Sequence, residues 1–272
     1  MVKPDEFNRP VALTIAGFDP SGGAGVLADT RAFAAFDCFP TAVITSITFQ
    51  NNEKVFGCVH QDADTVRAQI TPILLELPIA CVKTGMLPTR EIVVEVADII
   101  REHMLHSVVV DPVMKSTSGY PLMEADAVNE LKEKLLPVAR VVTPNIPEAE
   151  ALIGFSIRDE SDMRRAADSI RRMGAQAVVL KGGHLHGASE AIDLLDDGGH
   201  VTLFRSEWIE GVRLHGSGCL LSSALAACLA KGNSLEESVQ QARHFVAAAI
   251  RVHADPATSM KNRETSEINE QN

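Results

Sequence analysis

The chain has 272 residues, and 36 acidic against 25 basic side chains give a formal net charge of −11. This acidic balance argues against nucleic acid or an anionic membrane as the main partner, although a phosphorylated ligand needs only a local positive site. Five widely spaced cysteines without a CxxC pair argue against a disulfide framework or a zinc site. The polar segment 1–9 lacks the apolar region of a signal peptide, so we expect a cytoplasmic protein.

Apolar runs of strand length alternate along the chain with segments of helical periodicity. Strands are predicted over 11–16, 42–49, 79–83, 107–111, 138–143 and 177–180. A hairpin is predicted from 191–195 and 200–204, with its turn at 196–199. Helices are predicted between the strands, again from the turn at 214–219 to Lys231, and over 235–253, and 112–121 reads as a long, mobile loop.

This alternation predicts an α/β protein, a three-layer α/β/α sandwich around a mostly parallel central sheet. We expect a single domain over 1–254 and a polar, frayed tail over 255–272. Ligands of such sheets bind at the carboxyl ends of the strands. The residues just after the predicted strands are expected to converge there; they are Gly17, Asp19, Gln50, Met86, Asp111, Asn145, Glu148, Lys181 and His184.

A glycine-punctuated turn, Gly216-Ser217-Gly218-Cys219, opens directly into an alanine-rich segment with helical character. Glycines allow a tight bend, and the first amides of a helix have no acceptor inside it, so the turn is a candidate anion site. Cys219 would lie beside the positive end of the helix, where a thiol ionises more easily. An ordinary loop-to-helix junction with a buried cysteine explains the same residues.

The residues at this edge suit phosphoryl transfer. Lys181 supplies a positive charge, and Asp111, Asn145 and Glu148 supply oxygen ligands that could hold Mg²⁺ directly or through waters. Cys219 is placed to take a hydroxyl proton. A Walker-type nucleotide motif is absent, and the glycines after the first strand do not meet the GxGxxG spacing of a dinucleotide site.

Six short motifs then occur in one order along the chain: AGFDPSGGAG over 16–25, KTGML over 83–87, DPVM over 111–114, TPNIPEAE over 143–150, KGGH over 181–184 and GSGC over 216–219. In this order they resemble the hydroxymethylpyrimidine/phosphomethylpyrimidine kinases of thiamine biosynthesis, in the ribokinase-like superfamily. The resemblance runs from about Val11 to about Val252. It implies ATP and Mg²⁺ as cofactors, a pyrimidine alcohol as substrate and a homodimer.

The resemblance also assigns roles to individual positions. It implies that Gln50 binds the aminopyrimidine and that Gly17, Asp29 and Met86 line the same pocket. Cys219 matches the proposed catalytic base, and the amides of Gly216, Ser217 and Gly218 match the anion hole. Lys181 matches a lysine near the ATP phosphates, and the region that organises Mg²⁺ and phosphate corresponds to Asp111, Asn145 and Glu148.

Structural interpretations stay open for several of these residues. Asp29 could cap a helix or form an ion pair, and Met86 could serve packing alone. Asp111 could cap the turn before the following proline, and Glu148 could be favoured by the helix dipole. His215 reads as a structural residue or as one that supports the site from behind.

The chain departs from the family pattern beside the anion hole. Arg213, Leu214 and Leu220 replace small polar residues, which puts the ATP contacts and the surroundings of Cys219 in doubt. Phe49 precedes Gln50 and is expected to tighten the pyrimidine pocket. A pyridoxal kinase of the same superfamily is the nearest alternative, and a non-catalytic pyrimidine-binding regulatory protein is a second one.

Overall fold

A computed structural model describes residues 9–51, 53–184, 190–207 and 215–254. In these residues nine strands form one sheet, in the order β3-β2-β1-β4-β5-β6-β7-β8-β9. β1, β2 and β4 to β7 pair in parallel, whereas β3, β8 and β9 are antiparallel. The strands are β1 (Val11–Phe18), β2 (Phe39–Gln50), β3 (Val55–His60), β4 (Ile79–Thr84), β5 (Val108–Val110), β6 (Val141–Val142), β7 (Ala177–His184), β8 (Glu190–Asp197) and β9 (His200–Glu207).

Helices connect the parallel strands and follow the last hairpin. A π-helical turn, Leu131–Leu135, and a 3₁₀ turn, Leu136–Val138, continue from α4, so the helix predicted there changes its winding before it ends. The α-helices are α1 (Gly25–Ala35), α2 (Ala63–Glu76), α3 (Arg90–Glu102), α4 (Ala125–Glu130), α5 (Ile146–Ile153), α6 (Glu160–Arg171), α7 (Ser217–Ala230) and α8 (Leu235–Ala254).

The sheet separates two apolar cores because successive side chains of a strand point to opposite faces. Val108 and Val110 belong to the core under α2 to α6, whereas Val109 belongs to the core under α1, α7 and α8. In β1, Leu13 and Ala12 divide in the same way. These strands are buried on both faces, which explains their continuous apolar sequences. The predicted three-layer α/β/α sandwich is confirmed.

Two parts of the sheet test the strand predictions. The hairpin of β8 and β9 is confirmed, and its turn places Gly198 and Gly199 at φ values of +63° and +96°. Such values favour glycine, as the sequence indicated. β3 was not predicted, because its six residues alternate poorly and most are partly or fully exposed. It pairs with β2 as an antiparallel edge strand, with Ser46 opposite His60.

The strands of the described ranges share one sheet, as a single domain over 1–254 requires. The predicted tail over 255–272 lies outside the described residues, as do Arg213 and Leu214. Among the helices that the structure describes, none combines the length and apolar character needed to cross a membrane.

The parallel strands bring their carboxyl ends to one edge of the sheet. β1 ends at Phe18, β2 at Gln50 and β4 at Thr84, and the loop after β5 begins at Asp111. The turn before α7 reaches the same edge, because a side chain at Gly216 would lie 2.0 Å from the carbonyl oxygen of Gly23, in the loop after β1. The predicted convergence at this edge is therefore observed.

Replacement of Gly182 by alanine tests the junction between β7 and β8. A Cβ atom at position 182 would lie 2.0 Å from the carbonyl oxygen of Ile192 and 2.8 Å from Met163 Cε. Backbone must move to relieve this contact, so we expect Gly182→Ala to lower the free energy of unfolding by roughly 1–3 kcal/mol, measured by urea denaturation. Gly57→Ala, which meets only the ring of Phe49 at 3.3 Å, is the control; an equal loss there would contradict this account.

Candidate active site

Two adjoining cavities open at the carboxyl edge of the sheet. The inner cavity has a volume of about 100 Å³, and its walls include Gly17, Gln50, Met86, Gly216 and Cys219. The outer cavity has a volume of about 330 Å³ and lies between the β2–β3 turn and residues Ser116, Thr117 and Ser118. Gln50 and His215 line both. The predicted loop over 112–121 forms a turn here, in which Ser116 donates its amide proton to the Tyr120 carbonyl oxygen at 2.9 Å.

Gly17 and Met86 form one wall of the inner cavity. A side chain at Gly17 would lie 3.0 Å from Met86 Sδ, so the glycine leaves space for the thioether. Thr45 Oγ1 donates a hydrogen bond of 2.6 Å to the Met86 carbonyl oxygen, which holds the backbone after β4. Thioethers pack well against flat rings, so this wall suits an aromatic ligand.

Gln50 ends β2 beside a carboxylate that the loop after β1 holds firmly. Asp19 accepts hydrogen bonds from the Ser21 amide at 2.8 Å, the Ser21 hydroxyl at 2.7 Å and the Ala24 amide at 2.8 Å. Burial acts to raise the pKa of Asp19, but these bonds and one from the Gln50 side chain lower it overall. The Gln50 side chain thus lies beside an ionised carboxylate at the mouth of the inner cavity.

The glycine-punctuated turn has the backbone geometry that its sequence predicts. Gly216 adopts a φ of +75° as the N-cap of α7, which begins at Ser217. Close approach to the Gly23 carbonyl leaves no space for a larger residue at 216. The amides of Ser217, Gly218 and Cys219 occupy the first turn of α7, where a helix offers them no acceptor. The predicted helix is therefore present, and the anion site at its start stays a prediction.

Cys219 lines the inner cavity, but its thiol is not the easily ionised group that the sequence predicts. Burial raises the pKa of Cys219 to about 12, and the carboxylates Asp111 and Asp29 act in the same direction. Lys83 and Lys181 act to lower the pKa of the thiol and do not overcome burial. In the ligand-free protein the thiol is therefore protonated at neutral pH, and this prediction was wrong.

Lys181 and Asp111 form a buried ion pair next to the turn. Lys181 Nζ donates to Asp111 Oδ1 at 2.9 Å, and Ser222 Oγ of α7 donates to Oδ2 at 3.0 Å. Burial acts to raise the pKa of Asp111, but Lys181 and Lys83 lower it overall. A side chain at Gly218 would lie 3.1 Å from Lys181 Nζ, so the ammonium group lies against the first turn of α7. Asp111 therefore holds the lysine rather than only capping the turn before Pro112.

Asn145 and Glu148 form a reciprocal cap at the start of α5. Asn145 Oδ1 accepts the Glu148 amide at 2.9 Å, and Glu148 Oε2 accepts the Asn145 amide at 2.8 Å. Burial raises the pKa of Glu148 to about 7, Lys181 opposes this shift, and Asp111 adds to it. Both residues thus have a structural role in the ligand-free protein, beside the Lys181–Asp111 pair.

Asp29 is the predicted pocket residue that the structure places elsewhere. Its side chain is fully buried in α1, is absent from the walls of both cavities, and accepts two hydrogen bonds from Lys83 Nζ, at 2.8 and 3.0 Å. The contact with the inner cavity is made by Lys83 instead. Asp29 is therefore an ion-pair partner, the structural alternative that the sequence had left open.

Lys83 is the site residue that sequence reasoning missed, whereas Asp19 was among the residues expected at this edge. The available signal for Lys83 was a lysine inside the mostly apolar strand 79–84, which is unusual for a buried strand.

The structure locates two of the residues that depart from the family pattern. Leu220 packs against the core under α1, α7 and α8, and Phe49 lies half exposed outside both cavities. The predicted effect of Phe49 on the pocket was wrong.

Several known proteins are similar to this chain over most of its length. Hydroxymethylpyrimidine/phosphomethylpyrimidine kinase of Rhizobium meliloti is 45% identical over 241 residues, which cover 88% of this chain and 90% of that protein. The thiamine biosynthesis bifunctional protein of Geobacter sulfurreducens is 42% identical over 90% of this chain, which spans only 50% of that longer protein.

Solved structures of a pyridoxal kinase and of a phosphomethylpyrimidine kinase are also similar to this chain. An ADP complex of Bacillus subtilis pyridoxal kinase superposes with a TM-score of 0.82 at 38% identity, covering 89% of this chain and 92% of that one. Phosphomethylpyrimidine kinase from Clostridium difficile 630 gives a TM-score of 0.80 at 37% identity, covering 89% and 100%. The phosphomethylpyrimidine kinase family matches residues 19–264. The chain therefore belongs to the phosphomethylpyrimidine kinase family.

Proposed function

We propose that this chain transfers the γ-phosphoryl group of ATP to the hydroxymethyl oxygen of 4-amino-5-hydroxymethyl-2-methylpyrimidine, and then phosphorylates the monophosphate to the diphosphate. One observation carries the proposal: Gln50, Met86, Cys219 and the turn at Gly216 line the same small cavity. A ring-recognising amide and an anion-binding helix start are thus within reach of one small ligand.

The ring end of the cavity suits an aminopyrimidine. A primary amide both donates and accepts, which matches a ring nitrogen beside an exocyclic amine. The Asp19 carboxylate lies beside the Gln50 side chain, and the Met86 thioether supplies an apolar wall for the ring. The ring would lie against the wall that Gly17 and Met86 form, with its hydroxymethyl group directed toward Cys219.

The phosphoryl end would stabilise charge rather than do covalent chemistry. Amides at the start of α7 and the Lys181 ammonium would bind the oxygens of the transferred group. The hydroxymethyl oxygen attacks the γ-phosphorus, ADP leaves, and Cys219 in its thiolate form accepts the hydroxyl proton. Since phosphoryl transfer has a loose transition state, the hydroxyl proton leaves late, and the thiol must lose its own proton before it can accept this one.

Mg²⁺ is the metal that the neighbouring carboxylates suit. Asp111 and Glu148 offer hard oxygen ligands around Lys181, and Mg²⁺ prefers such oxygens together with waters and phosphates. Among the described residues no cluster of three or more His, Cys, Asp or Glu side chains could hold a metal. The ion would thus be held mainly by ATP, with Asp111 or Glu148 beside it, and would neutralise phosphate charge.

A pyridoxal kinase is the second candidate, and the close superposition on such an enzyme favours it. Pyridoxal also carries a hydroxymethyl group on a flat ring, so the same phosphoryl end would serve. It lacks the exocyclic amine beside a ring nitrogen that a glutamine amide matches, and the family relatives named above favour the pyrimidine.

A homodimer is proposed from the outer face of the β2–β3 pair. Ile47 pairs with Val59 and Phe49 with Gly57, so three large apolar side chains lie on one face of this pair. Their exposed fractions are 42% for Ile47, 51% for Phe49 and 53% for Val59. Clustered exposed apolar side chains are typical of protein interfaces. We propose that this face contacts a second copy of the chain.

A substrate panel with ATP and Mg²⁺ tests the proposed reaction. We expect turnover of the pyrimidine alcohol to mono- and diphosphate, with a kcat/KM above that for pyridoxal. Gln50→Ala removes the ring-binding amide, so its KM for the pyrimidine should rise roughly 10- to 100-fold while the KM for ATP stays constant. Gln176→Ala, an exposed glutamine before β7 at the opposite edge, is the control. Absence of turnover with either pyrimidine would refute the proposal.

Glu148→Gln tests the buried carboxylate. Because the folded-state pKa of Glu148 is raised to about 7 from 4.5, its stabilising contribution is complete below pH 4.5 and is lost as the pH rises through 7. Glutamine keeps the cap on α5, so Glu148→Gln should be more stable than wild type at pH 8 by on the order of 2–3 kcal/mol and nearly equal at pH 4.5.

Thermal unfolding without ligands measures this difference, and Glu133→Gln, at an exposed position, is the control. In assays the same variant should need more Mg²⁺ for half-maximal rate. A stability difference that is the same at both pH values would contradict the raised pKa.

Charge placed on the β2–β3 face should separate the proposed dimer. Val59→Lys buries an ammonium group in the interface, so we expect the dimer dissociation constant to rise about tenfold or more, measured by light scattering over a dilution series. Leu75→Lys, at a side chain that is 80% exposed on α2, should leave the mass unchanged. A wild-type protein that stays monomeric at high concentration would refute the dimer.

A further inference from the structure

A lysine without solvent exposure forms part of the wall of the inner cavity. Lys83 is fully buried in β4, yet it is one of the residues that line the cavity together with Cys219. A side chain at Gly85 would lie 3.0 Å from Lys83 Nζ and 2.9 Å from Ala16 Cβ, so the glycine leaves space for the ammonium group. The lysine is thus a charge built into the floor of the site.

Asp29 holds this lysine by an unusually complete set of hydrogen bonds. Lys83 Nζ donates to both carboxylate oxygens, and Thr14 Oγ1 donates to Oδ2 at 2.6 Å. Ser223 Oγ lies 2.5 Å from Asp29 Oδ1 and 2.8 Å from the Cys219 carbonyl oxygen, which links the pair to the first turn of α7. Every partner comes from a different element: β4, β1 and α7 around α1.

Burying this ion pair costs free energy, and an apolar pair of side chains could fill the same space without that cost. Removing two charges from water is expensive, and apolar replacements of buried ion pairs are often equally stable. Without Asp29 a buried lysine would lose its proton near neutral pH. With Asp29 the pKa of Lys83 is raised, although burial acts to lower it. The pair therefore maintains a permanent ammonium charge beside the cavity.

We propose that Lys83, kept charged and in place by Asp29, is the positioning residue that stabilises the thiolate form of Cys219. The inference rests on the proposed function only for the use of that thiolate as proton acceptor. Lys83 acts through Cys219: the thiol proton passes to water, the ammonium group stabilises the remaining charge, and the sulfur later accepts the hydroxyl proton of the substrate.

No other charged group around Cys219 stabilises its thiolate form as strongly as Lys83 does. Asp111, from the loop after β5, and Lys181, of β7, neutralise each other at 2.9 Å, and Lys181 is placed to engage phosphate. Asp29, of α1, is neutralised by Lys83. Of the two lysines that lower the pKa of Cys219, Lys83 has the larger effect.

Alkylation of Cys219 by iodoacetamide tests the inference without any turnover. Well below the thiol pKa, the rate at pH 8 follows the thiolate fraction, partly offset by the greater nucleophilicity of a more basic thiolate. We expect Lys83→Met to slow alkylation about threefold or more, read at Cys219 by peptide mass spectrometry. Asp29→Asn should slow it as well, because the unpaired Lys83 loses its proton. Lys132→Met makes the same change in charge outside both cavities and should leave the rate unchanged.

The double variant Asp29→Asn/Lys83→Met keeps the experiment decisive if a single variant fails to fold, since it leaves no unpaired charge. It should alkylate more slowly than wild type but faster than Lys83→Met, because the Asp29 carboxylate that raises the pKa of Cys219 is also removed. A purely structural pair would instead loosen the site and speed alkylation. A rate equal to or above wild type in the folded double variant overturns the inference.

Kinetics give a second, separate readout. Kcat for the pyrimidine should fall on the order of tenfold or more in Lys83→Met, with its pH profile displaced to higher pH and the KM for ATP little changed. Slower alkylation in a protein that turns over neither pyrimidine would refute the proposed function and leave this inference standing. Unchanged alkylation in Lys83→Met, in a protein that does turn over a pyrimidine, would refute this inference and leave the proposed function standing.

Discussion

Buried positive charge is the constraint on which this site depends. Lys83 and Lys181 lie toward the carboxyl edge of the sheet, each in a strand of mostly apolar residues. Each ammonium group is neutralised there by one carboxylate. Because a buried ammonium group is stable only with such a partner, α1 and the loop after β5 are fixed relative to β4 and β7. Hydroxyls of α7 complete both pairs, Ser223 to Asp29 and Ser222 to Asp111.

Backbone proximity is the second requirement, and glycine supplies it. Gly216 can approach the Gly23 carbonyl oxygen only without a side chain, and Gly218 leaves space for Lys181. The start of α7 is thereby brought against the loop after β1, at the mouth of the inner cavity. The same contacts that close the fold at this edge thus set the distance between the wall formed by Gly17 and Met86 and the turn at Gly216.

Without ligands, the positive and negative charges of the site balance one another. Each lysine is paired, Glu148 is half protonated near pH 7, and the Cys219 thiol keeps its proton. A phosphate that draws Lys181 from Asp111, or a metal ion beside the carboxylates, would change every one of these equilibria together. Under the proposed function, proton transfer and nucleotide binding would be coupled through these few groups.

The sequence by itself determined the layered α/β fold, because buried parallel strands require continuous apolar runs and amphipathic helices require a 3.6-residue period. It also identified the edge at which the site lies, and the turn from Gly216 to Cys219, because glycine spacing before an apolar helix is a local signal. The family resemblance, carried by six ordered motifs, supplied the roles of Gln50 and Lys181, which no periodicity could provide.

Only the tertiary structure decided which charges meet. Asp29 and Lys83 are 54 residues apart, and no local pattern predicts that they pair or that the lysine rather than the carboxylate reaches the cavity. The protonation of Cys219 was likewise undecided, because a helix start favours the thiolate while burial among the surrounding elements opposes it. Pairing and burial are properties of the assembled core, since they depend on distances between elements that a linear sequence does not contain.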